Sequence, residues 1–459
     1  MQKEMIEQMV AAQRTFFASG ATLSVDFRID ALKKLKKAIK DHETKIAQAL
    51  QTDLGKSNFE SYMCEIGMTL NEISHMLKHI RSYTKEKTVL TPLAQFPSRS
   101  YRKPCPYGVA LIMSPWNYPF LLTMDPLMEA LAAGNTVVLK PSNYSPATTA
   151  IIKEILESVF PPEYVAVVTG GRQENTWLLE EKFDYIFFTG SKNVGHLVQE
   201  KASKHLTPVT LELGGKSPCI VDETADLKLA ARRIVFGKYL NCGQTCIAPD
   251  YILCHSSVKE EFITYVKEEI KKQYGTNYLF NETYGKMISE KHFDRVTSLI
   301  AKDKVVMGGR SNKESLKIEP TVLHNITWDD AVMKEEIFGP LMPILTYDQI
   351  EEVIRTVNEH DRPLALYLFS SNKMSIKAVT SRCSYGGGCI NDVIIHLATP
   401  YMGFGGVGES GMGSYHGKTG FDTFTHYKSM VDKKTWLDLP IRYQPYQKLY
   451  EKMLRFFLK

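Results

Sequence analysis

The sequence has little of what marks membrane, secreted or nucleic-acid-binding proteins. No apolar run approaches the roughly 20 residues of a membrane-spanning helix, and the N-terminal residues carry acidic side chains instead of the apolar stretch of a signal peptide. The net charge is only +5 over 459 residues, with Lys and Arg spread among Asp and Glu. This pattern predicts no nucleic-acid partner. The lack of His or Cys pairs with zinc spacing predicts no metal site.

Disulfides and repeats are not expected either. Eight cysteines in a large chain without a signal peptide are typical of reduced thiols and indicate a cytoplasmic protein. No internal repeat or low-complexity tract is evident. A chain of 459 residues is too long for one hydrophobic core, so two or three domains are expected.

Hydrophobic periodicity divides the first half of the chain into a helical and an alternating region. Amphipathic patterns over residues 3–17, 24–50 and 59–84 predict an outer helical layer. From residue 109, short β-rich runs alternate with helical segments, which predicts a parallel sheet covered on both faces. The runs lie at 109–114, 136–140, 165–170 and 185–190, and the helical segments at 124–133, 146–160, 173–179 and 193–203.

A second α/β region is predicted over residues 210–410. Its expected strands and helices lie at 217–221, 227–240, 259–274 and 364–369. The Gly-rich segment 401–420 is typical of a loop that approaches a ligand or another backbone closely. The strand-like segment 420–431 is expected to pair with a strand outside its own domain.

The segment Asn-Cys-Gly-Gln-Thr-Cys at 241–246 places a cysteine among small polar residues about thirty positions after a Glu-Leu-Gly-Gly turn at 212–215. This pairing indicates a thiol nucleophile and a carboxylate base. Other motifs in the chain are Ser-Pro-Trp-Asn-Tyr-Pro at 114–119, Lys-Pro-Ser at 140–142, Phe-Thr-Gly-Ser at 188–191 and Glu-Glu-Ile-Phe-Gly-Pro at 335–340. In this order and at this spacing they make the chain resemble the NAD(P)-dependent aldehyde dehydrogenases, from about residue 10 to about residue 430. The block 404–417 is similar to the class 3 branch, which includes the fatty-aldehyde enzymes.

The resemblance implies an α/β fold with two doubly wound parallel-sheet domains and a small bridging β element for oligomerisation. The expected units are a Rossmann-like cofactor-binding domain (1–87 and 105–209), a catalytic domain (210–410), bridging strands (88–104 and 420–435) and a C-terminal tail (436–459). It also implies a homodimer.

Aldehyde oxidation needs a nucleophile, donors for an oxyanion, a hydride acceptor and a base for water. Cys246 is the expected nucleophile, Asn117 with the backbone N–H of Cys246 the oxyanion donors, and Glu212 the base. Each has a structural alternative, namely a core thiol, a turn-forming amide and a strand-capping carboxylate. Glu336 is a rival base, although the resemblance favours a role for it at the nicotinamide ribose.

The cofactor site is expected at the turn after the strand 185–189. Gly190, Ser191 and Gly195 lie where this turn opens a helix, so backbone N–H groups could face a pyrophosphate. The turn matches neither the usual G-x-G-x-x-G pattern nor a Walker A loop, and glycine turns after strands are common. The resemblance adds further cofactor-binding positions: Lys140 and Ser142 at the adenosine ribose, Trp116 at the adenine side, Leu213, and Phe338 against the nicotinamide.

One departure from the family pattern concerns the choice between NAD and NADP. Asn143 follows Lys-Pro-Ser where a glutamate is common, and a carboxylate there would bind the ribose 2′-hydroxyl and repel a 2′-phosphate. Lys192, where threonine is frequent, is expected to add positive charge nearby. We expect dual use with NAD preferred.

The substrate is expected to be a long apolar aldehyde, fatty or isoprenoid, including apocarotenoid aldehydes. The tail over 446–459 has apolar residues on one helical face and basic residues largely elsewhere, so it could lie on a membrane surface or dock on the protein itself. Residues suggested for an apolar tunnel, which are equally suited to the core, are Tyr62, Tyr118, Leu122, Tyr239 and Ile247.

Two further residues and two other functions complete the expectations. Cys242 could form a reversible disulfide that protects Cys246 from overoxidation, and His416 is expected to be structural and remote from the nucleophile. The alternative functions are an acylating reductase or thioesterase that uses the same cysteine, and a catalytically silent structural relative.

Overall fold

The computed structural model describes residues 2–458, and of Phe457 it describes only the backbone, so Met1 and Lys459 lie outside the described residues. The helices are α1 Lys3–Ala18, α2 Val25–Asp41, α3 Glu43–Leu54, α4 Asn58–Ser61, α5 Gly67–Tyr83, α6 Leu121–Ala133, α7 Pro146–Val159, α8 Arg172–Glu180, α9 Lys192–Ser203, α10 Leu227–Tyr239, α11 Lys259–Tyr274, α12 Glu290–Ser298, α13 Ile350–Glu359, α14 Lys373–Arg382, α15 Gly417–Thr423 and α16 Lys448–Phe457. The strands are β1 Lys87–Val89, β2 Ser98–Pro106, β3 Val109–Met113, β4 Thr136–Lys140, β5 Val165–Val167, β6 Tyr185–Thr189, β7 Val209–Glu212, β8 Pro218–Val221, β9 Tyr251–His255, β10 Val305–Met307, β11 Ser311–Asn312, β12 Lys317–Ile318, β13 Thr321–Leu323, β14 Leu341–Tyr347, β15 Ala365–Phe369, β16 Gly387–Ile390, β17 Gly411–Met412 and β18 Thr425–Lys433.

The first sheet has six strands in the order β17-β7-β6-β3-β4-β5, parallel except for β17. Its strands are short, apolar and buried, as strands covered by helices on both faces must be. The chain runs from β3 outward through β4 and β5 and then returns to β6 on the other side of β3. This reversal creates a crevice at the carboxyl ends of β3 and β6, where ligands bind in open α/β sheets.

The second sheet has seven strands in the order β10-β13-β14-β9-β8-β15-β16, parallel except for β10. A third, antiparallel sheet joins β1, β2 and β18, and β2 pairs with β18 over nine residues. The predicted α/β class with two parallel-sheet layers and a small extra β element is therefore confirmed.

Three predicted elements differ from the structure. The helix predicted over 24–50 is two helices, because the backbone turns at His42 between α2 and α3. The helix predicted over 59–84 is interrupted by a π-helical turn at Tyr62–Ile66. The strand predicted from Gly420 begins only at Thr425, since residues 417–423 form α15, which packs against α5 and α6.

The C-terminal tail ends in the short helix α16, which contacts the turn Pro440–Arg442 of the tail itself. Leu449, Met453 and Leu458 are exposed in it. Phe457, which the sequence analysis places on the same face, has its side chain outside the described residues. No helix in the described part of the chain is both long and apolar enough to span a bilayer.

Candidate active site

A cavity of about 800 Å³ opens at the carboxyl edge of the first sheet and is closed on its other side by loops of the second. A volume of this size is typical of a small-molecule or cofactor site. Nine of the predicted site residues line it: Trp116, Asn117, Gly190, Ser191, Glu212, Leu213, Cys246, Glu336 and Phe338. Lys140, Ser142 and Gly195 are not among the lining residues, so the fold brings most but not all of the predicted positions to one place.

The cysteine at 246 lies in a tight loop that follows α10. Asn241 and Cys242 in this loop have φ values of 52° and 54°, an uncommon conformation for residues with a side chain. Gly243 is required there, because a Cβ atom would lie 2.3 Å from the carbonyl oxygen of Gly339. The loop is therefore held in one shape, with the Cys246 thiol partly exposed to the cavity.

Burial raises the pKa of the Cys246 thiol to about 12, and the negative charges of Glu336 and Glu212 raise it further. The backbone N–H groups of Cys246 and Ile247 oppose this shift, because they point toward the sulfur and stabilise a thiolate. The same N–H groups are thus available beside the atom that would attack a carbonyl.

Glu212 is the last residue of β7, and its side chain is almost completely buried. Neither carboxyl oxygen makes a hydrogen bond to another described residue, and burial raises its pKa well above the usual value. A buried carboxyl without partners is uncommon in proteins and is typical of functional sites.

Asn117 follows β3 and is fixed through both its side chain and its backbone. Its Nδ2 donates to the carbonyl oxygen of Gln244 at 3.1 Å, and its own carbonyl oxygen accepts from Lys56 at 2.9 Å and from Asn241 at 2.8 Å. An amide nitrogen carries two hydrogens, so the second can be donated to a ligand in the cavity.

The residues that hold Asn117 and the cysteine loop were missed by the sequence analysis. Lys56 and Glu65 form a fully buried ion pair of 2.5 Å, and Glu65 also accepts the backbone N–H groups of Phe120 and Leu121 at the start of α6. Glu60 accepts the backbone N–H of Asn241 at 2.9 Å. In the sequence Glu60 and Glu65 look like the solvated face of an amphipathic helix and Lys56 lies between two such segments, so no signal distinguishes the three from surface charges.

Replacing Lys56 with methionine should destabilise the protein, because Glu65 would be left as a buried carboxylate without its cation. Breaking a buried pair in this way costs about 3–5 kcal/mol, so chemical denaturation should show a large loss of unfolding free energy. The double variant K56M/E65L, which removes both charges, should recover most of that loss. Equal stability of K56M and the wild type would show that the pair is not what fixes this region.

The start of α9 fits the phosphates of a dinucleotide. Ser191 and Lys192 present the first turn of this helix to the cavity, where its positive dipole end favours an anion. At Gly195 a Cβ atom would lie 2.7 Å from Leu213, so glycine lets α9 lie directly against the end of β7. Gly195 therefore shapes the site without lining it.

The other predicted cofactor residues fall into two groups. Trp116 and Phe338 contact each other at the cavity wall, with ring centroids 5.3 Å apart, so they line one part of the cavity and not its two ends. Lys140 is buried in β4 and donates to the carbonyl oxygen of Pro141 at 2.9 Å, and burial lowers its pKa to about 8. Ser142 accepts the backbone N–H of Tyr144 at 3.2 Å.

Glu336 lies across the Gly214-Gly215 turn from the cysteine loop. Gly215 N–H donates to it, and a Cβ at Gly214 would come within 2.2 Å of its carboxyl oxygen. Burial raises the pKa of Glu336 to about 8, with Asp250 adding to the shift. The backbone of Glu336 is held by Arg295, which donates to its carbonyl oxygen at 3.2 Å, a contact with no sequence signal.

Lys192, whose positive charge was expected at the cofactor site, lines the cavity together with two carboxylates. Its ammonium group lies 2.8 Å from Asp361 and 2.5 Å from Glu409, so two carboxylates compensate its charge. Asn143 is exposed and adjacent to Gly171, as a residue that meets a ligand from outside the sheet would be.

Other expected residues take no direct part in the cavity. Cys242 donates to the Tyr284 hydroxyl at 3.5 Å and does not line the cavity, so its redox role stays a prediction. Of the suggested tunnel residues only Leu122 lines the cavity. Tyr239 and Ile247 belong to the main core, Tyr118 packs in a small satellite core beside it, and Tyr62 is half exposed.

Comparison with known proteins agrees with this geometry. Residues 1–430 match the aldehyde dehydrogenase family. The 4,4'-diaponeurosporen-aldehyde dehydrogenase of Staphylococcus aureus is 48% identical, with 98% of this chain and 99% of that one covered. Aldehyde dehydrogenase family 3 member A2 of Mus musculus is 42% identical, with 99% of this chain and 94% of that one covered.

Solved structures give the same result. A substrate-bound structure of Staphylococcus aureus AldH superposes with a TM-score of 0.97 at 48% identity, covering 98% of this chain and 99% of that one. A betaine aldehyde dehydrogenase from Staphylococcus aureus in complex with NAD+ superposes with a TM-score of 0.86 at 28% identity, covering 96% of this chain and 90% of that one. The chain therefore belongs to the aldehyde dehydrogenase family and is an NAD(P)-dependent aldehyde dehydrogenase, as its motifs predict.

Proposed function

We propose that the protein oxidises a long apolar aldehyde, fatty or isoprenoid, to its carboxylic acid through a thioacyl intermediate on Cys246. The observation that carries the chemistry is that Cys246 and Glu212 face the same cavity, a thiol and an unpaired buried carboxyl. The substrate class is supported by the 48% identical relative, which is named for 4,4'-diaponeurosporen-aldehyde.

In this proposal the Cys246 sulfur attacks the aldehyde carbon. The oxyanion that forms is held by the Asn117 amide and the backbone N–H of Cys246. The nicotinamide cofactor supplies the hydride acceptor. Glu212 then removes a proton from a water molecule that attacks the thioester, and the product acid leaves with the thiolate restored.

We also propose how the remaining residues contact the cofactor. Ser191 and the backbone at Gly190 face its phosphates at the start of α9, and Glu336 contacts the ribose nearest the reacting centre. Phe338 and Trp116 form an aromatic wall beside them. Lys140 and Ser142, which do not line the cavity, act at the adenosine ribose.

NAD is the preferred cofactor in this proposal and NADP is accepted, because Asn143 carries no charge that would repel a 2′-phosphate. The variant N143E should therefore lower kcat/KM with NADP by tenfold or more while changing kcat/KM with NAD by less than about threefold. Initial rates with both cofactors measure this, and N143Q is the matched neutral control. Similar losses with both cofactors in N143E would contradict this role for residue 143.

The protein acts as a cytoplasmic homodimer that touches membrane surfaces through its tail. The connection between β1 and β2 leaves Leu90 and Leu93 exposed and β18 leaves Val431 exposed, as an interface between two copies would. In α16, exposed Leu449 and Met453 accompany Lys448 and Lys452, the combination typical of helices that lie on anionic lipid.

The test of the substrate class is the rate of NADH formation from saturated aldehydes of two to sixteen carbons and from a polyene aldehyde. We expect kcat/KM to rise with chain length, since each buried methylene contributes up to about 0.8 kcal/mol. Product analysis with and without coenzyme A separates oxidation to the acid from acyl transfer. A preference for acetaldehyde over every longer aldehyde would exclude the long apolar substrate.

The test of the tail is flotation with anionic vesicles. The full chain should float, and the variant L449S/M453S should not, whereas F280S, which removes an exposed apolar ring far from the tail in the sequence, should behave like the wild type. Flotation of L449S/M453S equal to that of the wild type would show that α16 does not contact lipid.

A further inference from the structure

Three carboxyl groups and one imidazole are buried together behind Glu212. We call Glu72, Asp125, Glu129 and His416 the acid cluster; their exposed fractions are 4%, 0%, 0% and 2%. They come from three elements that pack on one another: α5, α6 and the loop that leads into α15. The reaction described above assigns none of them a role.

The acid cluster is connected internally through His416. Its ring Nδ1 lies 3.7 Å from a carboxyl oxygen of Glu72 and 3.8 Å from one of Asp125, and its backbone N–H donates to Glu129 at 2.9 Å. The backbone N–H of Gly417 interacts with Glu72. Glu129 lies directly over the backbone of Gly420, where a Cβ atom would lie 1.9 Å from the carboxyl group.

The inner end of the acid cluster lies next to the active site. The charge of Glu212 acts on Glu129, and Glu212 pairs in the sheet with Gly411, four residues before Tyr415. The Tyr415 ring stacks on His416 at 4.2 Å, and Tyr415 lies close enough to Cys246 and Glu212 to be affected by both charges. His416 was expected to be remote from the nucleophile, but it stacks on Tyr415, a residue that the charge of Cys246 reaches.

The outer end of the acid cluster approaches solvent at α5. Glu72 acts electrostatically on Tyr83, which is partly exposed. Tyr83 contacts His75 at 3.0 Å, and His75 in turn packs against the exposed ring of Tyr401.

The acid cluster is not built as a structural network. Both oxygens of Asp125, one oxygen each of Glu129 and Glu72, and Nδ1 of His416 make no hydrogen bond to a described residue. Each such group costs about 1–3 kcal/mol when it is buried. Apolar side chains would fill the same space at no such cost, so the carboxyl groups are retained for something other than stability.

We propose that the acid cluster is a proton relay that carries the proton removed by Glu212 from water to the protein surface near Tyr83. The inference rests on the proposed role of Glu212 as base. As the water oxygen bonds to the thioester carbon, its proton moves to Glu212, and when the C–S bond breaks the electron pair returns to the Cys246 sulfur. The proton then passes to Glu129, directly or through one water, and the cluster releases one proton through Glu72. No electrons move within the relay.

The titration behaviour of the members suits this direction of transfer. Burial keeps the pKa of Asp125 and Glu129 well above the usual carboxyl value, so each holds a proton to higher pH than an ordinary carboxyl does. The pKa of Glu72 is raised by burial only to about 7, so the outermost member can release a proton to water.

The experiment uses the full chain and p-nitrophenyl acetate, an ester that acylates Cys246 without hydride transfer. The burst of p-nitrophenolate reports acylation, and the steady rate that follows reports deacylation. We expect E129Q and D125N to keep the burst rate within about twofold and to slow deacylation about tenfold or more. Added imidazole, which can enter the cavity, should partly restore deacylation in E129Q.

The controls separate a relay from loss of structure and from failure of the base assignment. E269Q changes a buried glutamate of α11 outside the acid cluster and should deacylate like the wild type. If E129Q and D125N match E269Q while E212Q alone stops deacylation, the relay is wrong and the base stands. If E212Q deacylates normally, both are wrong. If circular dichroism shows that E129Q or D125N misfolds, H416N takes its place. Equal losses in the burst rate and the deacylation rate of H416N would overturn the relay.

Discussion

Replacing Cys246 with alanine should abolish aldehyde oxidation, with kcat reduced by at least about 10⁴-fold. The reason is that the thioacyl intermediate cannot form without the sulfur, and removal of a covalent nucleophile is among the largest losses seen in enzymes. Because Cys246 lies in a loop fixed by its own backbone and by Glu60, the alanine variant should fold normally. NADH formation by wild type and variant, measured with the same long-chain aldehyde, gives the ratio directly.

The matched control is Cys242→Ala, four residues earlier in the same loop. Its thiol faces Tyr284 and not the cavity, so C242A should keep most of the activity. Titration of cofactor binding by tryptophan fluorescence should give similar affinities for C246A and the wild type. Turnover by C246A above a few per cent of the wild-type rate would exclude the covalent route.

The raised pKa of Cys246 adds a dependence on pH. A thiol whose pKa is about 12 is almost entirely protonated near neutrality, and its thiolate fraction rises about tenfold per pH unit below that pKa. Alkylation of Cys246 by iodoacetamide in the cofactor-free enzyme should therefore keep accelerating up to pH 10 without a plateau. A plateau near pH 7 would mean that the backbone N–H groups lower the pKa of the Cys246 thiol by more than burial raises it.

The positions of Asn117, Ser191 and Glu212 were predictable because each follows or ends a strand. β3 and β6 are neighbours in a parallel sheet and β7 adjoins β6, so their carboxyl ends must meet at one edge. Asn117, Ser191 and Glu212 follow or end these strands, and no knowledge of long-range packing is needed to bring them together. Cys246 lies in the loop after α10 of the second α/β region, and only its motif indicated that it would join these groups.

The supporting groups were not predictable, because their function depends on contacts that periodicity does not encode. Lys56 reaches Asn117 across 61 residues of chain, and in the sequence it is one of many lysines, placed between two amphipathic segments. Asp125 and Glu129 differ in that they interrupt the almost completely buried helix α6, whose other residues are mostly apolar. A carboxyl in such a setting was the one available signal of the acid cluster.

Replacing Glu212 with glutamine should trap the enzyme after hydride transfer. Glutamine has the same shape but cannot take a proton from water, so acylation should proceed and hydrolysis of the thioester should fall by about 10²- to 10⁴-fold. Rapid mixing should then show one equivalent of NADH per active site and almost no further turnover. Mass spectrometry of the peptide that contains Cys246 should show the acyl group.

The pH dependence follows from the burial of Glu212. Its burial raises its pKa well above the usual carboxyl value, so the fraction able to act as a base keeps rising at pH values where an ordinary carboxyl is already ionised. Deacylation by the wild type should therefore accelerate from pH 6 to pH 9, and E212Q should lose that acceleration.

The variant that tests the rival base is Glu336→Gln. If Glu336 binds the ribose, E336Q should raise the KM for NAD and leave hydrolysis of the acyl-enzyme intact. The charges of Glu212 and Glu336 both act on the Cys246 thiol, so either carboxyl is a candidate to approach a water there. If acyl-enzyme accumulates in E336Q and turnover is normal in E212Q, Glu336 is the base and Glu212 is not. This result would also remove the inner end of the proposed relay, since the charge of Glu212 acts on Glu129.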